Sequence, residues 1–310
     1  MLYNVAVINR YRHKDTVWVD LSYPTPEEVR KIVSEFSVHP SVAHELVSPT
    51  EKPRIELHDN YIYAILHFPV IKHGKDNKGR HEMDFIIGRN FLITTRYESI
   101  AAVENFTKMV EVNSILDREF SEDRSGILFF GIMREIYQAL LNELEYIESW
   151  LTKIEEGVFA GKEREMVENI SRVSRSLLNF KRSISFHKEV LGSLEIYGRK
   201  IFNDQFTYLA RRSLDEYQRV EDALESNIAT TLELRETNNS LLSTKQNETM
   251  KILTVVTFIF SPLALVAALF QIDLLTMPIV GQPNDFWILG AVLAIIGIFM
   301  YGLFKIKKWL

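Results

Sequence analysis

Cysteine is absent from all 310 residues, which excludes a disulfide framework and thiolate metal sites and fits a reducing cytosol. Proline is missing over roughly 190 residues between Pro69 and Pro262, so nothing there forces a helix to stop. An excess of one charge is also lacking: 36 basic residues face 41 acidic ones, a net charge of −5, which gives no electrostatic case for nucleic acid binding. The phosphate-cradling G-x-x-x-x-G-K-[ST] loop is absent; Gly74 and Gly79 lie in a charged turn at the wrong spacing. His44-Glu45 and His81-Glu82 lack the second histidine of H-E-x-x-H, and no G-x-S-x-G occurs. The sequence therefore predicts neither an enzyme nor a nucleotide-driven pump, and it implies no resident cofactor.

What is present divides unevenly along the chain. Charge concentrates before Lys251, and the remainder is mostly apolar. Residues 252–272 contain no ionised side chain, and at 1.5 Å per residue they span about 31 Å, the hydrocarbon thickness of a bilayer. Residues 286–304 supply a second uncharged run, FWILGAVLAIIGIFMYGLF. Neither has the polar stripe that a core helix usually keeps. Lys245 and Lys251 precede the first run, and Lys305, Lys307 and Lys308 follow the second. The loop 273–285 between them has Asp273 and Asp285 but no basic residue. The positive-inside rule then places both termini in the cytoplasm and the loop outside, with Trp287, Tyr301 and Trp309 at the interfaces. The opening MLYNVAVINRYRHKD lacks a basic stretch followed by an apolar core, so no cleavable signal is expected. The expected location is the cell membrane.

The soluble part falls into two expected regions. Residues 1–124 alternate strand-like and helix-like segments, an α/β domain, with strands expected at Tyr3–Ile8, Val17–Leu21, Arg54–Leu57, Tyr61–Phe68, Met83–Ile87 and Phe91–Thr95. Thr25-Pro26-Glu27-Glu28 carries a cap residue, a proline at the first helical position and acids in the first turn, starting a helix to about Phe36. Asp76-Asn77-Lys78-Gly79 reads as a turn. Residues 125–250 show helical apolar spacing over 127–157, 163–196 and 203–250, a helical stalk. Nothing near Lys245–Thr254 would stop the last helix, so it is expected to run into the hairpin of residues 251–310 as one rod of about 65 residues, ~100 Å long.

The first apolar run has a face of its own. Thr254, Thr257, Ser261, Ala264 and Ala268 recur at spacings of 3, 4, 3 and 4. Small residues at helical spacing either let helices pack closely in lipid or line a narrow wet pore. From the residues alone both readings stand. Two helices cannot enclose a pore, so the second requires several copies.

The hairpin resembles the CorA family of magnesium and cobalt channels. The likeness rests on M-K-I-L-T from Met250, F-S-P-L from Phe260, Met277-Pro278 and the terminal K-I-K-K-W-L from Lys305. Upstream, His39-Pro40, P-R-I-E-L-H-D-N-Y-I-Y-A-I-L from Pro53 and G-R-N-F-L-I-T-T from Gly88 extend it over essentially the whole chain. The resemblance implies a homopentameric funnel in the bilayer, conducting a divalent cation, magnesium or cobalt, down its electrochemical gradient. It assigns Asn247, Met250, Leu253, Thr257, Ser261, Ala264 and Ala268 to the pore, with Met250 and Leu253 as a dewetting gate. Lys305, Lys307 and Lys308 would form a basic cytoplasmic mouth.

The likeness breaks at the outer signature. Where the family has Tyr/Phe-Gly-Met-Asn, this chain has Phe270-Gln271-Ile272-Asp273. The expected outer cation site is therefore Asp273 with Gln271, and five copies would make a carboxylate ring whose repulsion raises its pKa values. Met277-Pro278 is followed by Ile279-Val280 rather than an acid, and Arg212 beside Arg211 stands where a regulatory carboxylate is expected. The alternatives to a channel are a non-conducting scaffold or regulatory relative and a zinc transporter resembling ZntB. The retained small stripe favours transport, and the lost signature favours the scaffold.

Overall fold

A computed structural model describes residues 7–13, 15–70, 79–115, 124–269 and 284–307. Strands β1 (Val7–His13), β2 (Thr16–Ser22), β3 (Arg54–Leu57), β4 (Tyr61–Pro69), β5 (Arg80–Gly88) and β6 (Phe91–Arg96) form one sheet in the order β1-β2-β6-β5-β4-β3. Only β2 and β6 run parallel among the described pairs. Every side chain of β4 is buried, as a central strand covered on both faces requires. Tyr61, Tyr63 and Ile65 pack with Val29, Ile32, Val42 and Leu46 of α1 (Pro26–Glu35) and α2 (Pro40–Glu45) and the turn after it. On the opposite face Phe68 meets His187 with ring centroids 5.0 Å apart, and Phe85 meets Phe129 at 4.9 Å.

The predicted cap of α1 forms as a reciprocal pair. Glu28 N–H donates to Thr25 Oγ1 at 3.3 Å, and Thr25 N–H donates to Glu28 Oε2 at 2.8 Å. The first strand departs from expectation. It is described over Val7–His13 and so continues five residues past the expected end at Ile8, while residues 3–6 lie outside the described residues. An edge strand carries charged residues, here Arg10 and Arg12, so the apolar run was a poor guide to its position. The turn expected at 76–79 lies outside the described residues except for Gly79.

The helices are α3 (Ala101–Ile115), α4 (Arg124–Phe159), α5 (Glu163–Ile184), α6 (His187–Ile201), α7 (Asp204–Leu269) and α8 (Asp285–Ile306). Between α4 and α5 the chain turns through Gly161 at φ 82°. Lys162 N–H donates to Gly157 O and Gly161 N–H to Val158 O, an arrangement that needs a left-handed residue. One expected helix, 163–196, is two: it breaks after Ile184, and α6 begins at His187. No glycine or proline marks that break. The uninterrupted last helix is as expected, 66 residues with Pro262 inside it.

The chain divides into two compact units, residues 1–235 and 236–310. In the first, α7 packs on α4, with Asn227 Nδ2 donating to Leu144 O at 2.9 Å. In the second, α7 and α8 pair, with Phe258 and Phe304 rings 6.4 Å apart and Leu263 beside Gly297.

Candidate functional site

The apolar end of α7 has three kinds of surface. At about 100° per residue, Asn247, Met250, Leu253, Thr254, Thr257, Ser261, Ala264 and Ala268 fall within an arc of roughly 120°. All are exposed except Thr254, which is half-buried. The more covered side chains, among them Val255, Pro262, Leu263 and Val266, lie on the opposite side of the helix. Beyond Leu253 the small stripe is flanked by large exposed side chains: Phe258, Leu265 and Leu269 on one side, Val256 and Phe260 on the other. The stripe is thus distinct from both the α8-facing surface and its bulky borders.

Its hydroxyl groups are oriented. Thr254 Oγ1 donates to Met250 O at 2.7 Å and Thr257 Oγ1 to Leu253 O at 2.9 Å. Each proton is engaged within the helix, which leaves the oxygen lone pairs outward as acceptors, the polarity a cation can use. Pro262 lacks the N–H that would donate to Phe258 O, freeing one carbonyl on the flank. Met250 and Leu253 are 55% and 58% exposed.

The predicted periphery is only partly described. Lys305 and Lys307 are exposed at the end of α8. Lys308, and both members of the outer pair Gln271 and Asp273, lie outside the described residues. Arg211 pairs with Glu195 at 2.8 Å, whereas Arg212 approaches Glu216 at 3.8 Å. Among the described residues no three His, Asp or Glu side chains gather where they could hold a metal ion.

A polar network that the sequence reading missed lies inside the α/β domain. Glu82 accepts from Thr50 N–H at 2.8 Å and contacts His67 Nε2 at 3.0 Å. His187 Nε2 donates to His67 O at 2.8 Å, and Tyr137 OH lies 3.0 Å from its Nδ1. Burial pushes His187 down to about 4, so it is neutral at physiological pH. Burial, then the charge of Glu82, raise Asp84 well above the usual carboxylate range. Tyr97 OH donates to Asp84 Oδ2 at 3.2 Å. The network ties β4 and β5 to α4 and α6. Its only sequence signal is two acids in the otherwise apolar strand E-M-D-F-I-I.

A mixed sheet covered by helices, a helix that leaves it to become apolar, and a second apolar helix paired with its end define a class: a membrane protein with a large α/β domain and a two-helix hairpin. Both apolar stretches are long enough to cross a bilayer, and almost all of their surface is exposed, unlike a soluble core helix. The family model described as CorA-like Mg2+ transporter protein matches residues 13–308. The chain belongs to that family. It is 24% identical over 302 residues to the cobalt/magnesium transport protein CorA of Methanocaldococcus jannaschii, covering 95% of this chain and 91% of that one. The corresponding protein of Thermotoga maritima is 23% identical, over 99% of this chain and 87% of its own. In structure the chain resembles the complete CorA magnesium transporter of M. jannaschii with a TM-score of 0.83 and 22% identity, covering 97% and 93% of the two chains.

Proposed function

We propose that this protein carries divalent cations, magnesium or cobalt, across the cell membrane through a pore lined by the small stripe of α7. The observation that carries the reading is the exposed run Thr257, Ser261, Ala264 and Ala268, bordered by large apolar side chains and turned away from α8. The bonds to the carbonyl four residues back would satisfy these hydroxyls in lipid as well, so it is the small exposed face between bulky borders that supports a shared axial channel. Family membership supports transport, and the curated CorA relatives are named for cobalt and magnesium. One chain supplies one wall, so the working unit is an oligomer, with five copies the number the family resemblance implies.

In this reading Met250 and Leu253 close the pore by dewetting, and Asn247 and Lys305, Lys307 and Lys308 surround its cytoplasmic end. Asp273, with Gln271, forms the outer cation site. An inside-negative potential of about 100 mV favours entry of a divalent ion by roughly 4.6 kcal/mol, near a 2000-fold gradient, so no nucleotide is required. The continuous α7 offers the link by which the cytosolic domain acts on the gate. The test is uptake of Mg2+ and Co2+ by the full chain in liposomes under an imposed potential. Saturable uptake of either ion supports the reading, and a tight oligomer with no uptake of any divalent ion favours a scaffold.

A further inference from the structure

A second kind of site lies between α4 and α7 within the α/β unit. The same spacing, i, i+3, i+4, i+7, places Ile127, Phe130, Gly131 and Arg134 on one helix face and Leu209, Arg212, Ser213 and Glu216 on the other. Together they line a cavity of about 160 Å3. Ile127, Phe130 and Leu209 give it an apolar wall.

Its polar groups are unequally used. Ser213 is 2% exposed, yet its hydroxyl has no hydrogen-bond partner among the described residues. Thr231, Thr244, Thr249, Thr254 and Thr257 on the same helix each donate to the carbonyl four residues back, whereas the Ser213 hydroxyl, like that of Thr207, does not, and of these two only Ser213 lines the cavity. A buried unpaired hydroxyl costs free energy that a ligand would recover. Arg134 has no carboxylate within ion-pair distance among the described residues, and Arg212 reaches only Glu216, at 3.8 Å. Glu216 is held above the usual carboxylate range, first by burial, against the opposing effect of Arg212, Arg134 and Arg219. Two guanidinium groups, Arg134 and Arg212, thus share the cavity lining with the one carboxylate of Glu216, an excess of positive charge beside an apolar slot.

We propose that this cavity binds a small organic anion, with its oxyanion head between Arg134, Arg212 and the Ser213 hydroxyl and a short apolar body against Phe130 and Leu209. Guanidinium groups recognise carboxylate and phosphate oxygens alike, so the head group is an oxyanion of either kind. The full chain in detergent is titrated calorimetrically with butyrate, butyl phosphate and, as the charge control, butylammonium. Saturable binding of at least one anion, one per chain, with none of butylammonium, is expected. The stronger of butyrate and butyl phosphate identifies the head group.

Arg134→Gln and Arg212→Gln should each weaken binding roughly fivefold or more, and Ser213→Ala about threefold, with unchanged melting profiles because both arginines are exposed. Arg134→Lys with Arg212→Lys retains charge without the fork and should keep part of the affinity. Three results overturn the proposal: no saturable anion binding up to about 10 mM; equal binding of butylammonium; or full affinity in the folded Arg134→Gln, Arg212→Gln double variant.

Discussion

Phe206 occupies a slot that two glycines leave open. A Cβ on Gly126 would stand 2.7 Å from its ring, and one on Gly198 2.4 Å. Phe202 stacks on it at 4.2 Å, and Arg89 Nε donates to Ile201 O at 2.9 Å beside the same turn. The start of α7 is therefore locked to α4, α6 and the sheet by shape. Gly126→Ala and Gly198→Ala should each destabilise the α/β unit by about 1–3 kcal/mol, read from urea unfolding by tryptophan fluorescence, and Phe206→Leu should restore part of the loss. A second residue-scale test concerns acid. His187 is depressed to about 4, so its neutral form stabilises the fold fully above its unfolded value near 6.5. That stability is lost as pH falls through 4, to the extent of about 3 kcal/mol. The melting temperature of the wild type should drop more between pH 6.5 and 4 than that of His187→Gln, which has no proton to gain; parallel curves would contradict this assignment.

At the scale of elements, what could be read in advance followed from local chemistry. The cap of α1 was legible because Thr25, Pro26 and Glu28 specify it within four residues. The unbroken α7 was legible because no proline, glycine or cap interrupts it before Pro262. The break between α5 and α6 was not, since Ser185 and Phe186 carry no breaker signal and the helix ends where His187 is drawn to His67 O, a long-range contact. The network of Glu82, Asp84 and His187 was hidden for the same reason: only strand and helix packing bring its members together. The small face of α7 was visible as a spacing, whereas its bulky borders acquire meaning only once exposure is known. Two predictions belong here. Leu253→Ser should hydrate the constriction and raise resting divalent leak in liposomes, while unchanged near-zero flux would remove the gate. Thr257→Leu should narrow the stripe and cut uptake by roughly tenfold, whereas Val256→Leu on the flank should leave it within about twofold.

For the whole molecule, conduction requires assembly and an entrance. The detergent-corrected mass should approach five times 36.1 kDa, and a transporting monomer or dimer would refute the pore. If Asp273 is the outer site as proposed, uptake at low cation concentration should fall as external pH drops, because protonation removes the attracting charge. Asp273→Asn should flatten that dependence, and an unaltered pH profile would exclude Asp273 as the outer site. The most direct test of the central claim uses the absence of cysteine, which makes any introduced thiol unique. Thr257→Cys, Ser261→Cys, Ala264→Cys and Ala268→Cys are compared with Val256→Cys and Phe260→Cys in liposomes, before and after a bulky cationic methanethiosulfonate. If the small face of α7 lines the pathway, modification should abolish divalent uptake at the first four positions and spare it at the last two. Equal sensitivity at all six, or block only at the flanks, would contradict the account.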